Sequence, residues 1–201
     1  MPLALFAGDR RLPLLELLDR HAGRNGSADT VRQFREFALG HADCLERSCR
    51  TGHFTGSAWL VDATGRRVLL THHRKLDRWL QLGGHADGDS DLARVALREA
   101  EEESGLGDLV VEPEIFDLDC HLIPERAAEP AHHHYDVRFV VRALGSTEFV
   151  VGDESHALAW RDIASIAADP AADESMRRMA RKWTVRSANR SLADSRDAEK
   201  G

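Results

Sequence analysis

The sequence predicts an α/β protein: a mixed β-sheet sandwiched between helices, with a helical extension at its N-terminus. Three observations carry this. Residues 109 to 123 and 134 to 143 alternate polar and apolar side chains with the period of two that a strand requires. A helix-period segment follows the Gly83-Gly84 pair, and another lies near the C-terminus, so helices are available for both faces of a sheet. Two more helix-period segments precede the first strand pattern.

Residues 12 to 21 and 29 to 49 place Leu and Phe at helical spacing around Gly23-Arg-Asn-Gly-Ser27, with Ser27 or Asp29 as the second N-cap. Residues 1 to 50 are thus read as the helical extension. Either they cover one face of the sheet, or they serve homodimer formation or substrate access. From residue 51 to 186 runs the main domain. Ser57 to Asp62, a turn at Ala63-Thr-Gly65, and Arg67 to Thr71 form a hairpin. A short strand spans Trp79 to Leu82, and the long strands 109 to 123 and 134 to 143 flank a loop over 124 to 131. Phe149 to Val151 and Leu158 to Trp160 read as short edge strands. Helices follow over 161 to 168 and 171 to 186. Residues 187 to 201 are polar and aperiodic and are expected to be a disordered tail.

The chain of 201 residues, with 42% hydrophobic and 30% charged content, has the composition of a soluble globular protein with one real core. A net charge of -7 excludes a general nucleic-acid backbone binder, which would be basic. It does not exclude a nucleotide substrate, because a bound cation reverses the local sign of a site. Nothing approaches the ~20 apolar residues of a membrane span, and the short apolar start runs directly into Asp9-Arg10-Arg11 without a basic leader. Cys44, Cys49 and Cys120 are odd in number and form no CxxC, the pattern of a reduced, cytoplasmic protein.

The chemistry concentrates after Gly83-Gly84. On a helix beginning near Asp91, Leu92, Val95, Ala96 and Leu106 share one side at about 100° per residue. Glu99, Glu102 and Glu103 fall in that same sector, spaced i, i+3, i+4 and close enough to touch. Carboxylates crowded on an inward face repel one another and lose hydration unless compensated. A hard divalent cation taking oxygen ligands is the usual compensation. Arg98, next to Glu99 and four residues before Glu102, suits a role in orienting a glutamate by a charge-assisted bond. Gly105 stands where a C-cap belongs.

Gly84, Arg98, Glu99, Ala100, Glu102, Glu103, Gly105 and Leu106 resemble the Nudix box, GX5EX7REUXEEXGU with U aliphatic, of the Nudix hydrolase superfamily. Ser90 stands where the pattern has its first Glu, with Asp87, Asp89 and Asp91 nearby. The segments His53 to Trp59, Leu69 to Lys75, Trp79 to His85 and His132 to Phe139 extend the likeness to a bacterial subgroup, over roughly 50 to 183. The resemblance implies a Nudix-like α/β/α sandwich and hydrolysis of a diphosphate linkage in a nucleoside diphosphate joined to another group X. It implies Mg2+, or Mn2+ in its place, held by Glu102, Glu103, Glu99 and the Gly83 carbonyl. Glu99 either ligates or activates water. Glu154, with Asp153 as the alternative, fits the extra acid that many members recruit from a later loop. A catalytically silent nucleotide-binding module is the competing reading, which Ser90 supports and the retained Arg98, Glu99, Glu102 and Glu103 oppose.

The histidines form a second set. Alternation puts Asp117, Asp119 and His121 on one face of their strand, and His134, Asp136, Arg138 and Arg142 on one face of theirs. If the two strands pair, the polar strips meet to line a pocket for an anionic, nucleotide-like substrate. His121, His134, Asp136 and Arg138 are then substrate-binding candidates, joined by His85 and by Trp79, whose ring suits base stacking. No second ligand pair at zinc spacing accompanies the run His132, His133, His134, so no separate transition-metal site is expected.

Overall fold

A computed structural model describes residues 8–23, 27–74, 76–126, 129–152 and 155–198, with the backbone alone for residues 190–198. The elements are α1 (Leu12–Ala22), α2 (Ala28–Gly40), β1 (Gly52–Val61), β2 (Arg67–His73), β3 (Arg78–Leu80), β4 (Leu82–His85), α3 (Leu92–Ser104), β5 (Leu109–Ile123), β6 (His132–Ala143), β7 (Ser155–Asp162), α4 (Ile163–Ala168) and α5 (Glu174–Ala198). All seven strands join one mixed sheet. Its path is β3-β2-β1-β6-β5, with β4 on β1 and β7 on β2. β1 and β6 run parallel, and β5 returns antiparallel along β6. Helices pack on both faces, so the predicted sandwich is what the chain forms.

Two cores explain the sandwich. On one face Phe54, Ala58, Leu60, Val137, Phe139 and Val141 meet Leu92, Val95 and Ala96 of α3 and the apolar sides of α1 and α2. On the other Trp59, Val61, Val68 and Val140 meet Ile163, Met176, Met179 and Trp183 of α4 and α5. The N-terminal helices are therefore built into the first core. Leu14, Leu18, Phe34 and Ala38 are fully buried, and Phe37 stacks on Tyr135 with ring centroids 3.8 Å apart. These helices cover the sheet, one of the roles the sequence left open.

α3 seats on the sheet where two glycines pair. Gly56 of β1 lies opposite Gly84 of β4. A Cβ on Gly56 would come within 2.8 Å of the Leu92 carbonyl oxygen, and one on Gly84 would overlap the Glu99 carboxylate. Close packing of the helix thus requires hydrogen in place of a side chain at Gly56, where backbone is the obstacle, whereas at Gly84 the obstacle is the carboxylate end of Glu99. The helix ends as its sequence predicts and begins at a cap the sequence reading did not name. The Asp91 side chain accepts from the Arg94 N–H at 3.1 Å, and Gly105 closes the C-terminus in the left-handed region at φ +67°.

The polar strips of β5 and β6 do meet: Asp117 opposes Arg138, Asp119 opposes Asp136, and His121 opposes His134. Asp136, 2% exposed, accepts from Thr55 Oγ1 at 2.9 Å, Ser57 Oγ at 2.7 Å, Gln81 Nε2 at 3.1 Å and Arg138 Nε at 2.7 Å. Arg138, also 2% exposed, reaches Asp117 and Asp119 as well, and Arg178 of α5 donates to both of these at 2.7 and 2.8 Å. Three acids and the guanidiniums of Arg138 and Arg178, with Lys182 Nζ 3.4 Å from Asp117, therefore lock α5 to the sheet. Asp136 and Arg138, expected at a substrate pocket, are instead internal and saturated. A strip of alternating charge looks the same in sequence whether a helix or a ligand covers it.

Other elements also differ from the sequence reading. α2 stops at Gly40, nine residues before the expected end. His41 turns extended, and 41 to 50 continue as turns closed by Cys44 N–H to His41 O and Cys49 N–H to Glu46 O. Cys44, Leu45 and Cys49 are buried from those turns, which mimics helical spacing. The segment 149 to 151 forms no strand. The Val150 N–H bonds to the Ser104 carbonyl at 2.8 Å, at the end of α3, so it has no ladder to join. The tail expected to be disordered from Ser187 is helical to Ala198. Once α5 is nucleated by packing, each added residue contributes a bond, and no Gly or Pro intervenes.

Asp119 supplies a test of the buried network. Burial opposes its ionisation, yet bonds from His121 and the charges of Arg138 and Arg178 hold its carboxyl far below the ordinary range. A folded-state value below the unfolded one stabilises the fold above the unfolded pKa of about 3.9, and that stability is lost as pH falls further. Asp119→Asn is expected to reduce unfolding free energy at pH 6 by about 1.5–3 kcal/mol, the range for a charged hydrogen bond. The gap to wild type should narrow as urea titrations move from pH 5 to pH 3. A gap that is constant with pH would mean the carboxylate charge contributes nothing.

Candidate active site

Two of the three glutamates of α3, Glu99 and Glu103, reach the β4 edge. Glu99 lies over Gly84, so near that its carboxylate fills the space a Cβ on that glycine would need. Its Oε1 accepts from Arg98 Nη2 at 2.8 Å, and the same Arg98 nitrogen lies 3.4 Å from the His85 carbonyl oxygen. Arg98 does orient a glutamate, though Glu99 rather than Glu102. Glu103 Oε1 accepts from the Gly83 N–H at 2.8 Å. Glu99 and Glu103, one turn apart, are thereby drawn against consecutive glycines, while Glu102 stands exposed on the same side of the helix. The Glu99 side chain is only 18% exposed, so this is a half-buried acidic notch and not a solvated charge run.

The donors are oxygens throughout: the Glu99 and Glu103 carboxylates beside a glycine backbone, with Glu102 exposed on the same helix. Such a set suits Mg2+ or Mn2+, hard ions that take carboxylate and carbonyl oxygen. The Gly84 cradle adds a fit by shape, since a side chain there would drive Glu99 out. Ser90, at the place of the missing acid, is not replaced by its neighbours. Asp87 is taken by Arg47 through bonds of 2.6 and 2.7 Å. Asp89 accepts from the Asp91 N–H at 3.0 Å and pairs with Arg94 at 2.8 Å, and Asp91 caps α3. Glu154 and Asp153 lie outside the described residues.

On the opposite face of the same strands the histidines assemble. Thr55, whose hydroxyl bonds Asp136, pairs with His85, so His85 points to the polar face, one residue past Gly84. His53 lies beside His134 in the parallel β1–β6 register, and His121 lies across from His134 on β5. His53 has ring centroids 4.9 Å from each of His85, His132 and His134. Burial, followed by the neighbouring histidines, pushes His134 down to about 2, and burial with Arg47 beside it pushes His85 down to about 4. His53 is lowered too, by burial first and then by His132. These rings are neutral imidazoles. His121 donates from Nδ1 to the Asp119 carboxylate at 3.0 Å and is half-exposed.

His85, His121 and His134 are thus together, as the sequence reading required. Asp136 and Arg138 lie beneath, and Trp79 sits on β3 with His72 stacked at 5.1 Å and the Arg161 guanidinium over its ring. Sequence reasoning missed His53 as a member of the cluster and weighed His132 only for a transition-metal site, which it set aside. Only the β1–β6 register, which joins residues 81 positions apart at His53 and His134, reveals the first.

The model of the NUDIX domain matches residues 53–183. No curated protein matches the chain. Among solved structures, an Ap4A hydrolase binary complex from C. elegans superposes with a TM-score of 0.53 at 16% identity, covering 68% of this chain and 98% of that one. The dihydroneopterin triphosphate pyrophosphohydrolase of E. coli gives 0.53 at 18% identity, over 66% and 95%. A MutT protein from Methanosarcina mazei Go1 gives 0.52 at 15% identity, over 69% and 97%. At these identities the likeness is one of fold.

Gly84→Ala tests the cradle. Gly84 does not have positive φ, so the added methyl is resisted by the Glu99 carboxylate and not by backbone strain. We expect Mn2+ affinity, measured by titration calorimetry, to fall by about 10–100-fold, the usual cost of disturbing a metal ligand's support. Metal-free thermal unfolding should move little. Unchanged affinity would show that Glu99 is not held there for a metal.

Proposed function

This chain belongs to the Nudix hydrolase family and is a Nudix-type pyrophosphohydrolase, and from that premise we propose that it uses Mg2+ to cleave the diphosphate linkage of a nucleoside diphosphate joined to another group X. One observation carries the reading: Glu99 and Glu103 are drawn onto Gly84 and Gly83 beside the exposed Glu102. The site therefore offers oxygen ligands on a surface that a substrate can approach.

Glu102 and Glu103 would hold Mg2+, with Glu99 and the Gly83 carbonyl completing the protein's share. When bound, Mg2+ neutralises the diphosphate and polarises phosphorus and the attacking water. The chain's own contribution is preorganisation. Arg98 keeps one Glu99 oxygen engaged, so the other is directed toward the notch. The Gly83 N–H fixes Glu103 in the same way. Glu99 is placed either to ligate or to take the proton of the attacking water. Glu154 is the candidate for a further acid. For the substrate, the partly accessible Trp79, His85, His121 and His134 are the candidate contacts. Asp136 and Arg138 are not, because both are buried and bonded.

No helix among the described residues is long and apolar enough to cross a membrane. Cys44, Cys49 and Cys120 are free thiols, which fits the cytoplasmic location we propose.

A hydrolysis screen over nucleotide sugars, dinucleoside polyphosphates, ADP-ribose, NADH and oxidised nucleotides, with and without Mg2+, tests the proposal. At least one diphosphate compound should be cleaved, and only with the ion. Glu102→Gln should lower kcat by on the order of 10²–10³, as for loss of one transition-state electrostatic contact. Its metal-free Tm should be unchanged or higher, since a repelling charge is gone. A wild type that binds a nucleotide yet cleaves nothing with Mg2+ would overturn the reading.

A further inference from the structure

The carboxylate notch leaves one cluster unexplained. His53, His132 and His134 carry nitrogens that all lie within 4.8 Å of one another on the sheet face opposite α3. His53 is 1% exposed and His132 is 5% exposed. Among the described residues neither nitrogen of His53 has a hydrogen-bond partner, nor has Nε2 of His132, from which a Glu129 carboxylate oxygen stands 3.9 Å away, beyond hydrogen-bond reach. Buried polar nitrogens are nearly always satisfied, and leaving one without a partner costs on the order of 1–3 kcal/mol. Three such atoms at one spot need a ligand to account for them.

Their arrangement identifies its kind. His132 Nδ1 lies 2.9 Å from the Pro130 carbonyl oxygen, an acceptor only, so Nδ1 carries the proton and the Nε2 lone pair is free. A backbone carbonyl fixing the tautomer of an imidazole is the support a metal-ligating histidine normally has. The strand register sets His53 directly beside His134, with His132 two residues earlier on the same face. A tetrahedral ion with nitrogens at 2.0–2.1 Å keeps them about 3.3 Å apart. The observed spacing therefore needs at most about 1.5 Å of convergence, within reach of small side-chain rotations. His134 is only partly buried, and the half-exposed His121 and partly exposed His85 flank it at ring distances of 5.5 and 5.1 Å, leaving an approach from solvent.

We propose that His53, His132 and His134 form a second metal site, for Zn2+ or a comparable imidazole-preferring divalent ion, with its fourth position open toward His85 and His121. Nitrogen-only ligands distinguish it from the notch, since imidazole suits Zn2+ and its neighbours while Mg2+ takes oxygen. Three protein ligands and one open position describe a site that binds water or an anionic oxygen, not a closed structural one. Its place is defined by strand alternation: His85 follows Gly84 on β4, so the two sites occupy opposite faces of adjacent residues. The site does not depend on the diphosphatase reading, because its ligands lie apart from Glu99, Glu102 and Glu103.

The test uses the full chain, stripped with chelator and titrated with Zn2+ alone. Wild type and Glu102→Gln should each bind one ion per chain at the histidines, with sub-micromolar affinity. His132→Gln and His134→Gln should bind at least about 100-fold more weakly at that site. Co2+ in place of Zn2+ should give the visible absorption of a tetrahedral centre in wild type and lose it in both variants. Should the variants fail to fold by circular dichroism, X-ray absorption on zinc-loaded wild type decides. Three imidazole nitrogens at 2.0–2.1 Å support the site, and a shell dominated by carboxylate oxygen overturns it. Zinc retained at full affinity by both histidine variants, or no stoichiometric zinc in wild type, also overturns it.

Discussion

The structure turns on a pair of glycines facing each other across two antiparallel strands. Gly56 and Gly84 have no side chains, and α3 occupies the room this leaves. A helix bearing Glu99, Glu102 and Glu103 on its inner sector could not otherwise approach the sheet so closely. Because it does, two of its carboxylates meet backbone instead of solvent: Glu99 at Gly84, and Glu103 at the Gly83 N–H. Repulsion between carboxylates held this way is what the proposed cation would relieve. The apolar part of the helix, Leu92, Val95 and Ala96, fixes the register that makes this possible.

The same strands serve a different chemistry on their other side. There the side chains of β1, β4, β5 and β6 give a gradient along the sheet, from Trp59 and Val140 under α5, through the Asp136–Arg138 network, to five histidines at the far end. The charged network works as a hinge-pin between sheet and α5. Arg138 and Arg178 each contact more than one acid, which suits the fixed fork of a guanidinium. Oxygen donors are thus collected on one face and nitrogen donors on the other, separated by the thickness of a single strand.

Much of this was legible in the sequence because it is local. The helix with its acids and terminating Gly105 is written within 23 consecutive residues. The β5–β6 polar strips were legible too, since alternation alone assigns their faces. What was not legible depends on contacts between distant segments. That Asp136 and Arg138 are buried follows from α5 covering them, and no pattern in β6 records that. His53 joins the histidines only through parallel pairing of β1 with β6. The end of α2 was misread because turns can bury Cys44 and Cys49 at the spacing a helix would use. The helical tail was misread because low hydropathy describes an exposed helix and a disordered segment equally well.

The central claim is that the glycine seat forces the three α3 glutamates onto one hard cation. Anomalous diffraction from crystals of the full chain grown with Mn2+ measures this directly. The account predicts an ion bonded to oxygens of Glu99, Glu102 and Glu103 at about 2.0–2.6 Å, with the Gly84 cradle closed behind it. Manganese absent from these carboxylates at saturating concentration, or bound only among the histidines, would contradict it.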